Sequence, residues 1–373
     1  MALALPDFPW DALAPFAAQA RAHPNGIVDL SVGSPVDPTP TLIRGSLAAA
    51  TDAHSYPLTA GTVALREAIV AWYARRRGVD DLGVANVLPT IGSKEFIAGL
   101  ALWLGIGPGD VVVQPRRAYP TYAVGAALVG ATVVASDDPA DWPANTKLIW
   151  VNSPANPDGT ILTVEQLAAG VARARELGAV IASDECYAEL AWGEEWMSGD
   201  EHLATPSILD PRVIHGVRRS VLSVYSLSKQ SNLAGYRAGF VAGCSELIAE
   251  ILEVRKNLGT MPPAPVQAAM VTALGDDEHV AVQRERYRSR RARLLPAFES
   301  AGFTVDASDG GLYLWVTVGE GSWTTVERLA TLGILVAPGT FYGDADSQHV
   351  RVALTATDAA IDDAVARLAL FSN

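Results

Sequence analysis

The run SVYSLSKQSNLAGYRAGF holds a lysine in an unusual setting. Val221 to Tyr225, just before it, is rich in β-branched and aromatic residues and reads as a buried strand. Gln230 to Tyr236, just after it, is small and polar and does not read as a packed helix. Lys229 is therefore expected to project from a strand end into a loop, flanked by the hydroxyls of Ser226 and Ser228. Arg237 follows eight residues on. An amine in such a place calls for a chemical role.

Other strand ends carry polar residues where plain connections would serve. TIGSKEF places Gly92, Ser93 and Lys94 at a helix start, where free N–H groups and the helix dipole suit an anion. Taken alone, that stretch reads better as an ordinary serine cap. RRAYPTY puts Tyr119 at a strand end, where a packing aromatic would also fit. NSPANPDG fixes Asn156 within a turn, and Asn-Pro and Asp-Gly both favour turns. SDECY ends an apolar strand on Asp184, and a buried carboxylate needs a partner. Tyr187 lies three residues further on.

The elements needed to position these residues are visible as an alternation. Strand-like runs at Val87–Thr90, Asp110–Gln114, Thr132–Ala135, Lys147–Val151 and Val180–Ser183 alternate with helical runs at Lys94–Leu104, Pro120–Val129 and Val164–Leu177. Such alternation predicts an α/β fold with a mostly parallel sheet covered on both faces. Ligands of such sheets bind at the carboxyl ends of the strands. After Gly243 the pattern changes to helices at Ser245–Leu258, Gln267–Ala273 and Asp277–Ala301, strands in GGLYLWVTV and HVRVAL, and a final helix at Asp358–Leu370. That reads as a smaller α+β domain. The expected division is 1–42 as an N-terminal arm with part of the small domain, 43–256 as the large domain and 257–373 as the small one. The basic segment RERYRSRRARL reads as a solvated helix face.

Composition narrows the partners. With 373 residues, 49% hydrophobic and 18% charged, the chain is globular and large enough for two domains. A formal net charge of -13 argues against nucleic acid or an anionic membrane. The two cysteines, Cys186 and Cys244, give neither a disulfide framework nor metal spacing, and Cys186 reads as a small buried hydrophobe. The opening MALALPDFPWDAL lacks a basic n-region and is not expected to act as a secretory signal. A soluble cytoplasmic protein without a metal is expected. GIGPG follows a helix and precedes a strand, the reverse of a dinucleotide fingerprint, which disfavours a nicotinamide dehydrogenase.

A lysine, an aspartate, an asparagine, two tyrosines and an anion cradle on one sheet rim suit pyridoxal 5′-phosphate (PLP) chemistry. The motifs SDECY and SLSKQSNLAGYRAG, with the Lys229–Arg237 spacing, resemble those of fold-type I aminotransferases related to aspartate aminotransferase. The resemblance runs from LSVGSPVDPTP to HVRVAL. It implies that Lys229 carries the cofactor and moves the proton, while Asp184 pairs with the pyridine nitrogen. Tyr187 and Asn156 would serve the ring hydroxyl, and Tyr119 would stack on the ring. Ser93, Lys94, Ser226 and Arg237 would hold the phosphate. Arg351 would take the substrate carboxylate beside the main chain of Gly33, with Asn156 nearby. Tyr56 would reach the phosphate of a second subunit, implying a homodimer with shared sites. NSPANPDG departs from the usual pattern at Ser153 and Asp158, and Arg116 and Arg117 are also departures.

Whole-chain likeness is nearest to N-succinyldiaminopimelate aminotransferases of the diaminopimelate and lysine pathway, with glutamate as amino donor. The distal carboxylate of such a substrate would need a further cation, for which Arg116, Arg117 and Lys256 are candidates. Alternatives are an aspartate- or aromatic-type aminotransferase and a PLP carbon–sulfur β-lyase. A non-catalytic PLP-fold regulator would need a DNA-binding extension.

Overall fold

Runs of buried valine and isoleucine form the centre of the protein, in a computed structural model that describes residue 5, residues 8–193, residue 196 and residues 205–371. The opening residues 1–4 and 6–7, part of the stretch expected not to act as a signal, lie outside the described residues. Seven strands make one sheet, in the order Val87–Ile91, Ala238–Gly243, Val221–Ser226, Val180–Asp184, Thr146–Asn152, Val111–Gln114 and Thr132–Ala135. Neighbours pair in parallel, except that Ala238–Gly243 runs antiparallel to both strands beside it. The sheet and its covering helices make the large α/β unit that the alternation predicts, and a smaller α+β unit accompanies it.

The register decides what meets at the rim. Asn152 pairs with Asp184, and Asp184 with Val224, so two central strands finish level while the third, Val221–Ser226, runs two residues further. The antiparallel strand starts where its neighbours stop, with Ile91 beside Ala238 and Ser226 beside Gly239. It thereby returns Arg237 to the same edge as Gly92 and Ser226.

Helices cover both faces, and their ends are set by local chemistry. Val164–Leu177 begins at Thr163, whose Oγ1 accepts from Gln166 N at 3.2 Å while Gln166 Oε1 accepts from Thr163 N at 2.9 Å. It ends at Gly178, with φ 64°, a left-handed conformation that glycine adopts without a Cβ penalty. The helix Ala264–Gly275 lies beyond the expected division at 256/257. It packs on Thr41–Ala49 and Val63–Arg77, and its Ala269, Met270, Ala273 and Leu274 belong to the core of the large sheet. No helix among the described residues is long and apolar enough to cross a membrane.

The smaller sheet is antiparallel, in the order Ala337–Pro338, His349–Ala353, Tyr313–Thr317 and Thr304–Asp306. Val28–Asp29, near the start of the chain, pairs in parallel with Ile334–Leu335. Leu13, Ala17, Val28 and Leu30 join the core of this smaller unit.

Two local expectations need correction. Leu227–Gln230 forms one helical turn, so Lys229 sits on helix and not in a loop; Ser226 Oγ caps it by accepting from Ser228 N at 3.2 Å. The basic segment of Glu278–Ser300 is not wholly a solvated face. Arg290 is buried, with Nη2 donating to Asp37 Oδ1 at 2.6 Å and Nη1 to Asp37 Oδ2 at 2.9 Å. Its Nε donates to the more exposed Asp358 Oδ1 at 3.0 Å. The bond to Asp37 ties the N-terminal segment to the long helix. Replacing Asp37 by alanine strands a buried guanidinium, so a loss of about 3 kcal/mol is expected, read as a lower urea midpoint than that of the wild-type chain.

Candidate active site

The helical turn that bears Lys229 points its amine across the rim, where Nζ donates to Gly33 O at 2.7 Å. Gly33 can have no side chain there: a Cβ would collide with Tyr313 Oη. That phenol lies 3.0 Å from Tyr187 Oη, and the two rings meet edge to face with centroids 5.7 Å apart. Burial, and then its neighbour Tyr313, raise the pKa of Tyr187 well above the ordinary phenol value.

Asp184 is buried at the end of its strand. Its Oδ2 accepts from Tyr122 Oη at 3.0 Å and its Oδ1 from Cys186 N at 3.2 Å. Burial raises its pKa despite these bonds, and no lysine or arginine among the described residues forms an ion pair with it. Burial, and then the neighbouring Asp184, raise the pKa of the Cys186 thiol, which Ser93 also approaches. Cys186 therefore lies between two candidate ligand groups, although as a buried thiol it matches the small-hydrophobe reading. Tyr119 meets Tyr122 edge to face at 5.8 Å, and burial pushes its phenol up to about 12.

Gly92 opens the helix Gly92–Trp103 with φ 69°, and a Cβ on it would run into the guanidinium of Arg237. Arg237 is itself left-handed, with φ 53°, and its Nη1 donates to Ala234 O at 3.0 Å. Ser93 is the next residue of the helix, and Ser226 is brought close by the strand register. Ser226 Oγ donates to Ser228 Oγ at 2.8 Å. Lys94 is exposed, its ammonium 5.5 Å from the centre of the Phe8 ring. A helix N-terminus with an adjacent guanidinium is built for a phosphate.

Arg351 is buried in the strand His349–Ala353. Its Nη1 donates to Asn156 Oδ1 at 2.8 Å and its Nη2 to Ser31 O at 2.7 Å, while Nε has no partner. Its guanidinium lies 3.9 Å from the ring centre of Tyr313 and 5.0 Å from that of Tyr342. Asn156 is held in turn by its own N–H, which donates to Asn152 Oδ1 at 2.7 Å. One network thus joins the end of the strand Thr146–Asn152 to Arg351.

These residues fit PLP on their own chemistry. Asp184 is a buried carboxylate that wants a cation, the Gly92 cradle wants a phosphate, and Lys229 supplies an amine. The sequence profile of the family "Aminotransferase class I and II" matches residues 25–368. The chain belongs to the class I and II aminotransferases, which depend on PLP. A 4-dedimethylamino-4-oxo-anhydrotetracycline transaminase (OxyQ) of Streptomyces rimosus is 52% identical over 365 residues, covering 98% of this chain and 99% of the other. A probable aminotransferase of Mycobacterium tuberculosis is 55% identical over 365 residues, covering 98% and 85%. The solved N-succinyldiaminopimelate aminotransferase of Mycobacterium tuberculosis superposes with a TM-score of 0.85, at 27% identity and 97% coverage of both chains.

This aminotransferase gathers Lys229, Gly33, Tyr187, Asp184, Asn156 and Arg351 in linked contacts, and sets Gly92, Ser93, Ser226 and Arg237 together. It does not bring Tyr56 to them, since that side chain is 97% exposed. Lys256 lies near the end of the helix Ser245–Leu258 and donates to Glu253 Oε1 at 2.6 Å on the surface. Arg116 is exposed, and its backbone N–H donates to Asp137 Oδ1 at 3.1 Å. Sequence reasoning missed Tyr122, Tyr313 and Tyr342. Only the alternation of GGLYLWVTV hinted that Tyr313 shares a face with Trp315.

The cradle gives a test. Gly92→Ala imposes both a strained φ and a clash with Arg237, each worth about 1–3 kcal/mol. PLP affinity, followed by cofactor fluorescence, should fall at least about tenfold. Unchanged affinity would show that the phosphate is held elsewhere.

Proposed function

We propose that this enzyme transfers an amino group between glutamate and N-succinyl-2-amino-6-oxopimelate. In this reading bound PLP supplies an electron sink for breaking the substrate Cα–H bond. Lys229 Nζ carries the cofactor at rest, then takes the α-proton and returns it. Asp184 Oδ2 and Oδ1 hold positive charge at the ring nitrogen, and Tyr122 keeps that carboxylate oriented. Asn156 and Tyr187 serve the ring hydroxyl, and Tyr119 covers the ring face. The amides of Ser93 and Lys94, with Ser226 and Arg237, hold the phosphate. Arg351 takes the α-carboxylate as a forked pair.

One observation carries the substrate choice. Arg117 lies with its guanidinium 5.7 Å from the ring centre of Trp315, and Trp315 stands directly opposite Arg351 on the paired strands. Opposite residues of this kind have Cβ atoms about 5 Å apart. A second cation therefore flanks the wall that presents Arg351, as a substrate with two separated carboxylates requires. Arg117 Nη1 donates to Asp158 Oδ2 at 3.1 Å. Two of the four departures from the family pattern are thus partners, and Asp158 holds Arg117 in place. Arg116 and Lys256 show no such placement.

A second reading is favoured by the 52% identity to the tetracycline-type transaminase. The aromatic wall of Trp10, Trp315 and Tyr342 would suit the flat ring system of such an acceptor.

We further propose a homodimer in which Tyr56 serves the phosphate of the partner subunit, which accounts for a phenol 97% exposed in a single chain. Lys229→Ala and Tyr56→Phe proteins, each impaired alone, should regain activity when mixed and allowed to exchange subunits. An active monomer would refute the shared site.

Substrate assays decide the rest. Glutamate and the succinylated compound should turn over well, and tyrosine and phenylalanine poorly. Arg117→Ala should lower kcat/KM about tenfold more for the succinylated substrate than for glutamate, the size of one charged contact. Turnover of the tetracycline ketone alone would favour the second reading.

A further inference from the structure

Near the Lys229 turn, at Asn232, the chain borders a cavity of about 440 Å³. Asn232, Asp276, Glu278 and His279 line it, with Thr39, Arg44 and Arg286. None of these residues is used in the chemistry above.

The orientation of Asn232 follows from its neighbours. Asp37 can only accept, so Gln283 presents Nε2 to Asp37 Oδ2, at 2.8 Å. Gln283 Oε1 then faces Asn232, whose Nδ2 donates to it at 2.9 Å and to Pro38 O at 3.4 Å. Asn232 Oδ1 is left buried with no donor. A buried acceptor without a donor is costly, and this one lines a cavity.

The charges point to the rest of a ligand. Arg44 donates to Thr41 Oγ1 at 3.2 Å and Arg286 to Gln283 Oε1 at 3.3 Å, and neither forms an ion pair among the described residues. Two guanidinium groups without carboxylates are notable in a chain of net charge -13. Asp276 Oδ2 accepts from His279 N at 3.0 Å and lies 2.6 Å from His279 Nδ1, leaving Oδ1 without a partner among the described residues. The cavity thus offers two cations for an anion and, in Asn232, Asp276 and Glu278, acceptors for a donor.

We infer that this cavity is an effector site for an α-amino acid. Its carboxylate would lie between Arg44 and Arg286, and its ammonium would donate to Asn232 Oδ1 and Asp276 Oδ1. The volume leaves room for a side chain. The inference does not depend on which substrate the active site takes.

The walls of the cavity also lead to the catalytic lysine. Asn232 O accepts from Thr39 Oγ1 at 3.0 Å, and His279 Nε2 lies 2.8 Å from Ser231 Oγ. Lys229 Nζ reaches Gly33 O from the same two chain segments. An occupant that moves residues 231–232 against residues 37–39 therefore changes how Lys229 meets Gly33.

The probe is 2-methylalanine, which has both charged groups but no α-hydrogen and so cannot be transaminated. Equilibrium dialysis of the PLP-loaded enzyme with labelled 2-methylalanine should find two sites per subunit. The double variant Arg44→Ala/Arg286→Ala should keep one and bind at the other at least tenfold more weakly. Isobutyrate, without the ammonium, and isopropylamine, without the carboxylate, should not fill the second site. In the glutamate half-reaction the probe should lower kcat and raise KM in the wild type, but only raise KM in the double variant. One site per wild-type subunit would overturn the inference, including the case in which a second copy of the chain covers the cavity. Equal binding of isobutyrate, unchanged stoichiometry in the double variant, or purely competitive inhibition of the wild type would do the same.

Discussion

A carboxylate buried at the end of a parallel strand sets the terms for this protein. Asp184 has lost its water, has no cation of its own, and is held by one phenol and one backbone amide. Burial makes that charge costly, and in the proposed reading the protonated pyridine nitrogen of PLP is the partner that offsets it. The level finish of the strands places Asn152 beside it, and Asn152 in turn fixes Asn156 and hence Arg351. Asp184, Asn156 and Arg351 therefore share one mechanical reference, the rim of the sheet.

The small unit contributes what the rim lacks. Arg351 and Tyr313 come from paired strands of the smaller sheet, and both lean on the large domain through Asn156 and Tyr187. The salt bridge between Asp37 and Arg290 fixes the N-terminal segment against the same unit. Because Gly33 lies in that segment, the carbonyl facing Lys229 is positioned from both ends.

Much of this was legible in the sequence where the signal was local. The helices Val164–Leu177 and Ser245–Leu258 end where capping threonine, glycine and apolar period say they should. Lys229, Asp184, Asn156 and Arg237 announced themselves as polar residues at the ends of apolar runs. What stayed hidden depended on pairing. No periodicity states that Ala238–Gly243 runs antiparallel, yet that reversal is what brings Arg237 to Gly92. The burial of Arg290 was hidden for the same reason, since Asp37 lies far away in sequence. The partnership of Arg117 with Asp158 turned two apparent exceptions into one feature.

The strand order also governs when the parts can meet during synthesis. Val87–Ile91 is an edge strand whose one sheet neighbour among the described residues is Ala238–Gly243, so it waits about two fifths of the chain for a partner. The helices Thr41–Ala49 and Val63–Arg77 wait longer still, for Ala264–Gly275 to cover them. A nascent chain leaving the ribosome can pair the four parallel strands from Val111 to Ser226 among themselves, together with Thr132–Ala135, before either event. The phosphate cradle, built across that late pairing, is among the last pieces to close. Until then an unpaired valine- and isoleucine-containing edge is exposed to other chains.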